Sequence, residues 1–255
     1  RMFKDILAAR DGEETPAVRE FLARIRDFPF FAALQAVLAR DGLDAETLAK
    51  EGRVETLAAY AAGDRGLGMA SEPKALLPFH RYPAESRSAL EEHLAEAAGH
   101  TQDAGGLCRL HFTVAPEHRA RFESQARGSA RKLAKGRRLR FALGFSVQKP
   151  ATDTLAVDAE GNAFRLADGS LLLRPGGHGA LIDNLNELGA DIIFIKNIDN
   201  VVPDARRDEV LFWKKVLGGA LVELEGELRR HHAALKADPA GALEAATAFA
   251  RDKLS

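Results

Sequence analysis

The sequence predicts an α/β protein whose mostly parallel sheet is covered by helices and preceded by a helical segment. Three observations predict it. Apolar residues recur at helical spacing through the first part of the chain. Farther on, short runs of β-branched and aromatic residues alternate with helical stretches. The run Ile192-Ile193-Phe194-Ile195 is apolar on both faces, as a strand inside a parallel sheet must be.

Each element has a local reason. Thr15-Pro16 starts a helix, the hydroxyl as cap and the proline in the first turn, and Phe21, Leu22, Ile25 and Phe28 share one face. A second helix is expected over 29–40, a third capped by Asp44, and a fourth around Val54, Leu57 and Ala58, before a glycine-rich connection over 63–68. Ser88 and Glu91 form a capping box for a helix that stops at Gly99. Strands are expected over 107–114 and 139–147 around a helix over 116–127. Further strands over 154–157 and 171–173 join through turns at Glu160-Gly161-Asn162 and Asp168-Gly169-Ser170. A helix over 179–188 leads to the strand 192–195, and helices over 208–235 and 240–253 finish the chain.

Composition narrows the function classes. The 255 residues carry 36 Lys+Arg against 37 Asp+Glu, a net charge of -1, with 46% hydrophobic residues. That balance excludes a disordered tail and gives no global reason to expect nucleic acid or membrane as a partner. The apolar stretches are too short to span a bilayer. One cysteine, Cys108, excludes an internal disulfide and a thiolate zinc cluster, so a cytoplasmic location is expected. Within its strand Cys108 is expected to be buried and inert. The chain opens on Arg1, inside material that looks structured, which predicts a fragment truncated at both ends.

The stretch Arg174-Pro175-Gly176-Gly177-His178-Gly179 carries the most chemical information. Consecutive glycines let backbone N–H groups approach a planar or anionic ligand without Cβ obstruction. After the next helix, the strand delivers Asn197, Asp199 and Asn200 at its carboxyl end, where ligands of open α/β sheets bind. A lone carboxylate there suits a magnesium ion shared with substrate phosphates. Gln148 and Lys149 follow a strand and could meet a base edge and a phosphate; each is equally an ordinary strand-end residue. Asp153 is expected to form a turn rather than to act as a second carboxylate. The basic run Arg131, Lys132, Lys135, Arg137 and Arg138 lacks interleaved aromatics and is expected to be a solvated loop. His231 and His232 are adjacent on a helix, so they cannot share a metal and are expected to face solvent.

These motifs resemble a family. Pro175-Gly176-Gly177-His178-Gly179 followed by Asn197-Ile198-Asp199-Asn200 resembles the UDP-sugar pyrophosphorylases, and Glu72-Pro73-Lys74-Ala75-Leu76-Leu77-Pro78 resembles the Pro-Lys-x-Leu-x-Pro segment of sugar nucleotidyltransferases. Arg1-Met2 is similar to the end of their glycine-rich signature. Across its whole length the chain resembles a bacterial family known as domain of unknown function 4301.

The resemblance implies a Rossmann-like sheet of the glycosyltransferase-A type over residues 69–255, with a helical insert over 4–68. It implies transfer of a nucleotidyl group from a nucleoside triphosphate, UTP first, to a sugar 1-phosphate, with pyrophosphate released. Arg1 and Lys74 would neutralise phosphates. Gly176, Gly177, His178 and Gly179, with Gln148 and Asn197, would hold the nucleotide, and Asp199 would ligate Mg2+. Ala180 stands where the pyrophosphorylase loop usually has an acid. The alternative is a non-catalytic nucleotide-sugar-binding module on the same fold. A glycosyltransferase is disfavoured because Asn197-Ile198-Asp199 offers one carboxylate where that chemistry usually uses an Asp-x-Asp pair.

Overall fold

A computed structural model of the chain describes residues 6–254. The chain divides into two units, residues 1–201 and 202–255.

Local signals at the start of the first unit produce the helices α1 (Pro16–Ala23), α2 (Phe31–Arg40), α3 (Ala45–Lys50) and α4 (Val54–Ala62). Thr15 Oγ1 accepts from the Val18 N–H at 3.2 Å, and Asp44 Oδ1 accepts from the Thr47 N–H at 2.8 Å. Their inward stripes make one core in which Leu34, Leu38, Ala45, Val54 and Leu57 are fully buried, with Phe21, Phe28 and Phe30 in ring contact.

A turn of 3-10 helix at Lys74–Leu76 leads into the hairpin β1 (Pro78–Arg81) and β2 (Ser86–Ser88) and the helix α5 (Ala89–His100). The capping box at Ser88 and Glu91 forms as the sequence demands. A parallel pair comes next: β3 (Leu107–Thr113) and β4 (Arg140–Ser146), joined by α6 (Arg119–Ala134) and in register from Leu107↔Arg140 to Thr113↔Ser146. One face of the pair packs Phe112 and Phe145 against Leu90 and Leu94 of α5 and Phe122 of α6, making a second core. Cys108 is fully buried, and burial raises its thiol pKa.

Beyond β4 the structure corrects the expected architecture. No extended parallel sheet of the Rossmann or glycosyltransferase-A type forms among the described residues; the strands occur as three two-stranded sheets, two antiparallel and one parallel. β5 (Thr154–Leu155) pairs with β6 (Leu173–Arg174), and the expected turns at 160–162 and 168–170 lie between them. Residues 192–195 form no ladder. Ile193, Phe194 and Ile195 are exposed, and the segment is fastened by the residues directly after it: Lys196 Nζ donates to Glu96 Oε2 at 2.6 Å, and the Ile198 carbonyl bonds His93 Nε2 at 3.0 Å. An apolar run becomes a strand only where a neighbouring edge takes its N–H and C=O groups. The helix expected over 179–188 is a 3-10 turn at His178–Leu181 and then the short α7 (Ile182–Asn186).

The second unit is a helical hairpin. α8 (Asp204–Ala237) runs 34 residues, about 50 Å, and α9 (Pro239–Lys253) turns back after Asp238, whose Oδ1 accepts from the Gly241 N–H at 3.0 Å. His231, expected in solvent, stacks on the Phe249 ring with centroids 4.6 Å apart. No described helix is long and apolar enough to cross a membrane.

Candidate functional site

Lys74 and Asp199 meet although 125 residues separate them: Lys74 Nζ donates to Asp199 Oδ2. Each is held by its backbone rather than by burial of its own head group. Lys74 opens the 3-10 turn whose Ala75 is buried in the second core and whose Leu76 packs against it. On the other side, Ile198 packs against that core, and the turn closes with Asn200 N donating to Asn197 O at 3.1 Å. Lys196 and the Ile198 carbonyl tie this turn to α5 through Glu96, which is 3% exposed, and His93. The charged atoms themselves stay accessible, Lys74 at 57% and Asp199 at 38% side-chain exposure. A ligand phosphate can therefore reach the ammonium.

The carboxyl of Asp199 is held below its ordinary pKa, first by the Lys74 hydrogen bond, then by its own backbone N–H, with the charge of His178 adding to this. Lys74 and Asp199, two of the residues singled out in the sequence, are in direct contact.

The glycine loop has two characters. A Cβ on Gly176 would lie 2.7 Å from Thr152 O and 3.0 Å from the Ala180 methyl, so close packing excludes any side chain there. The same position is 3.6 Å from Gln148 Nε2, which is buried with no hydrogen-bond partner among the described residues. Gly177 and Gly179 face open space, where a flat ligand could approach the backbone. A buried donor left without an acceptor is rare in a folded chain and marks a place where a ligand or water completes the structure.

Other candidates separate from this group. Lys149 is ion-paired with Glu187. Asp153 closes a 3-10 turn, its N–H donating to Pro150 O at 3.1 Å. Asn197 serves the turn through its carbonyl while its side chain stays exposed. In the basic run, Lys132 pairs with Glu85. Arg1 lies outside the described residues.

Among the described residues no three His, Cys, Asp or Glu side chains gather to hold a metal ion. Asp199 Oδ2 accepts from the Lys74 ammonium, and a magnesium ion there would rest on this one carboxylate and on substrate phosphates.

The anchors His93 and Glu96 were not evident as site residues. They lie on the inward face of α5 beside Leu90, Leu94 and Ala97, where an acid is costly unless paired. That placement is the signal that a cation from elsewhere must reach them.

The family model described as domain of unknown function (DUF4301) matches residues 1–255, and the chain belongs to that family. No curated protein and no solved structure matches it.

Proposed function

We propose that this member of the family is a nucleotidyltransferase: it binds a nucleoside triphosphate at Lys74 and the glycine loop and passes the nucleotidyl group to a sugar 1-phosphate, releasing pyrophosphate. The observation that carries the reading is the pairing of Lys74 with Asp199 across 125 residues, together with the buried, unsatisfied Gln148 Nε2 that lies against Gly176 of the glycine loop. The reaction needs no protein nucleophile. A sugar-phosphate oxygen, already ionised, attacks the α-phosphorus, and the protein has only to align the two molecules and oppose the charge that develops. Lys74 supplies that charge. Asp199 acts as a positioning residue, holding the lysine ammonium through its Oδ2. Gln148 Nε2 donates to a base edge next to Gly176, and UTP is the first candidate on the strength of the motif resemblance.

The test is pyrophosphate release by the full chain over a panel of nucleoside triphosphates and sugar 1-phosphates, run beside calorimetry with UTP. Lys74→Ala is expected to lower kcat/KM by about a hundredfold, the scale of losing one charge-stabilising group. Asp199→Asn should lower it less, through loss of lysine orientation. Wild-type turnover in Lys74→Ala overturns the reading. Tight nucleotide-sugar binding with no pyrophosphate release from any pair favours the alternative, a binding module.

A further inference from the structure

The solvent-side face of the β3–β4 pair carries a second chemical group, separate from the nucleotide reading. The parallel register sets Arg109, His111 and Thr113 opposite Ala142, Gly144 and Ser146, and alternation puts all six on the face turned away from the second core. At its carboxyl end three polar groups converge on one hydroxyl. Ser146 Oγ lies 2.8 Å from His111 Nε2, 2.9 Å from Asn184 Nδ2 and 3.3 Å from Thr113 Oγ1.

The amide fixes the direction of one of these bonds. Asn184 Nδ2 also donates to Val147 O at 3.0 Å, which fixes the amide with its nitrogen toward Ser146. Ser146 Oγ therefore accepts from Asn184, and its own proton has two acceptors within reach, His111 Nε2 in the Nδ1-protonated tautomer at 2.8 Å and Thr113 Oγ1 at 3.3 Å. Partial burial lowers the His111 pKa, which favours the neutral ring. Gly144 is required for this seat, since a Cβ there would lie 2.5 Å from His111 Nδ1. Asn184 is only 4% exposed, and its Oδ1 is buried with no donor among the described residues, a deficit that an incoming hydroxyl or water would fill.

We propose that Ser146 is a nucleophile with His111 as its general base, a second active site that takes small activated carboxylic esters. A hydroxyl and a neutral imidazole within hydrogen-bond reach, with the hydroxyl oriented by a third group, is the arrangement nucleophilic catalysis uses. An acyl substrate is favoured over a phosphoryl one because none of the hydrogen bonds into the group comes from a cationic side chain; Arg109, on the same face, is paired with Asp103. The imidazole lies over Gly144, and Ala142, the next small residue on that face, is exposed.

The step balances with water alone. Oγ forms a bond to the carbonyl carbon while its proton passes to His111 Nε2. The tetrahedral adduct then expels the alkoxide or phenolate, which takes up that proton. Water repeats the sequence on the acyl-serine, releasing the carboxylic acid and restoring the hydroxyl.

The experiment treats the full chain with p-nitrophenyl acetate, following p-nitrophenolate release and mapping acetylated peptides by mass spectrometry. Acetyl-Ser146 is expected, absent in Ser146→Ala and formed about a hundredfold or more slowly in His111→Gln, the low end of what a positioned base contributes. Acetylation confined to lysines, no acetylation at all, or an undiminished Ser146 rate in His111→Gln overturns the proposal. Peptide mapping of the wild-type protein decides the first two without any variant, so a poorly folding His111→Gln leaves the test intact. Nucleotide binding plays no part in it.

Discussion

Residues 6–62 and residues 154–195 belong to one unit and use hydrophobic side chains in opposite ways. In the first segment the apolar stripes of α1 to α4 close on each other, and Leu34, Leu38, Val54 and Leu57 are shut away from water. In the second, Leu155, Val157, Phe164, Leu166, Leu171 and Leu173 stay exposed on a narrow antiparallel ribbon, and the chain is shaped by turn hydrogen bonds. Apolar content alone therefore contributes nothing: stability tracks the area removed from water. Loops relieved of core duties are where binding groups are found, and the glycine loop and the Asp199 turn lie in or next to this second segment.

The comparison breaks first at its largest contrast. Leu57→Ala should destabilise the chain by roughly 2–5 kcal/mol, whereas Leu173→Ala on the ribbon should change it by no more than about 0.5 kcal/mol. Equal shifts in urea unfolding midpoints for the two would show that the ribbon is covered in solution.

Within the site segment, glycines that differ only in surroundings sharpen it. Gly176→Ala drives a methyl into Thr152 O and should cost about 1–3 kcal/mol while weakening nucleotide binding. Gly177→Ala meets nothing and should leave thermal stability unchanged. A Gly176→Ala protein with wild-type melting and affinity would remove the packing argument for the loop.

Smaller still, Ser88→Ala loses the capping box of α5 and should cost about 1 kcal/mol, measured by chemical denaturation. Because α5 also anchors the Asp199 turn, nucleotide affinity should fall with it.

The smallest effect concerns pH. Asp199 has a lowered native pKa, so its pairing with Lys74 stabilises the fold above the unfolded carboxylate value and is lost as pH falls through the native one. Both side chains are well exposed, so the contribution is under about 1 kcal/mol and fades with salt. Unfolding free energies of wild type and Asp199→Asn should converge at acid pH.

Much of the helical structure was legible because its determinants are near neighbours. Thr15 caps α1, Asp44 caps α3, Ser88 and Glu91 box α5, and each acts over three residues. The turns at Gly161 and Gly169 were legible for a related reason: both adopt positive φ, 86° and 83°, which glycine accepts without strain. The sheet was not legible. The run 192–195 has the composition of a buried strand, yet hydrophobicity cannot say whether a partner edge is present. The glycine loop and the Asp199 turn were legible as a pair from their residues, whereas Lys74, which meets Asp199, was suggested only through motif resemblance. Ser146, His111 and Asn184 gave no pattern at all, since β3, β4 and α7 bring them together from separate stretches.

The order of residues decided where helices begin, which glycines turn the chain, and that Cys108 would be buried, because caps, φ preferences and apolar period are properties of a few consecutive residues. Folding in three dimensions decided that strands among the described residues pair two by two and that Lys196 fastens to Glu96. It also decided that Asp199 meets the ammonium of Lys74. Ladder bonds and ion pairs depend on which distant groups arrive within a few ångströms, and that outcome belongs to the packed chain.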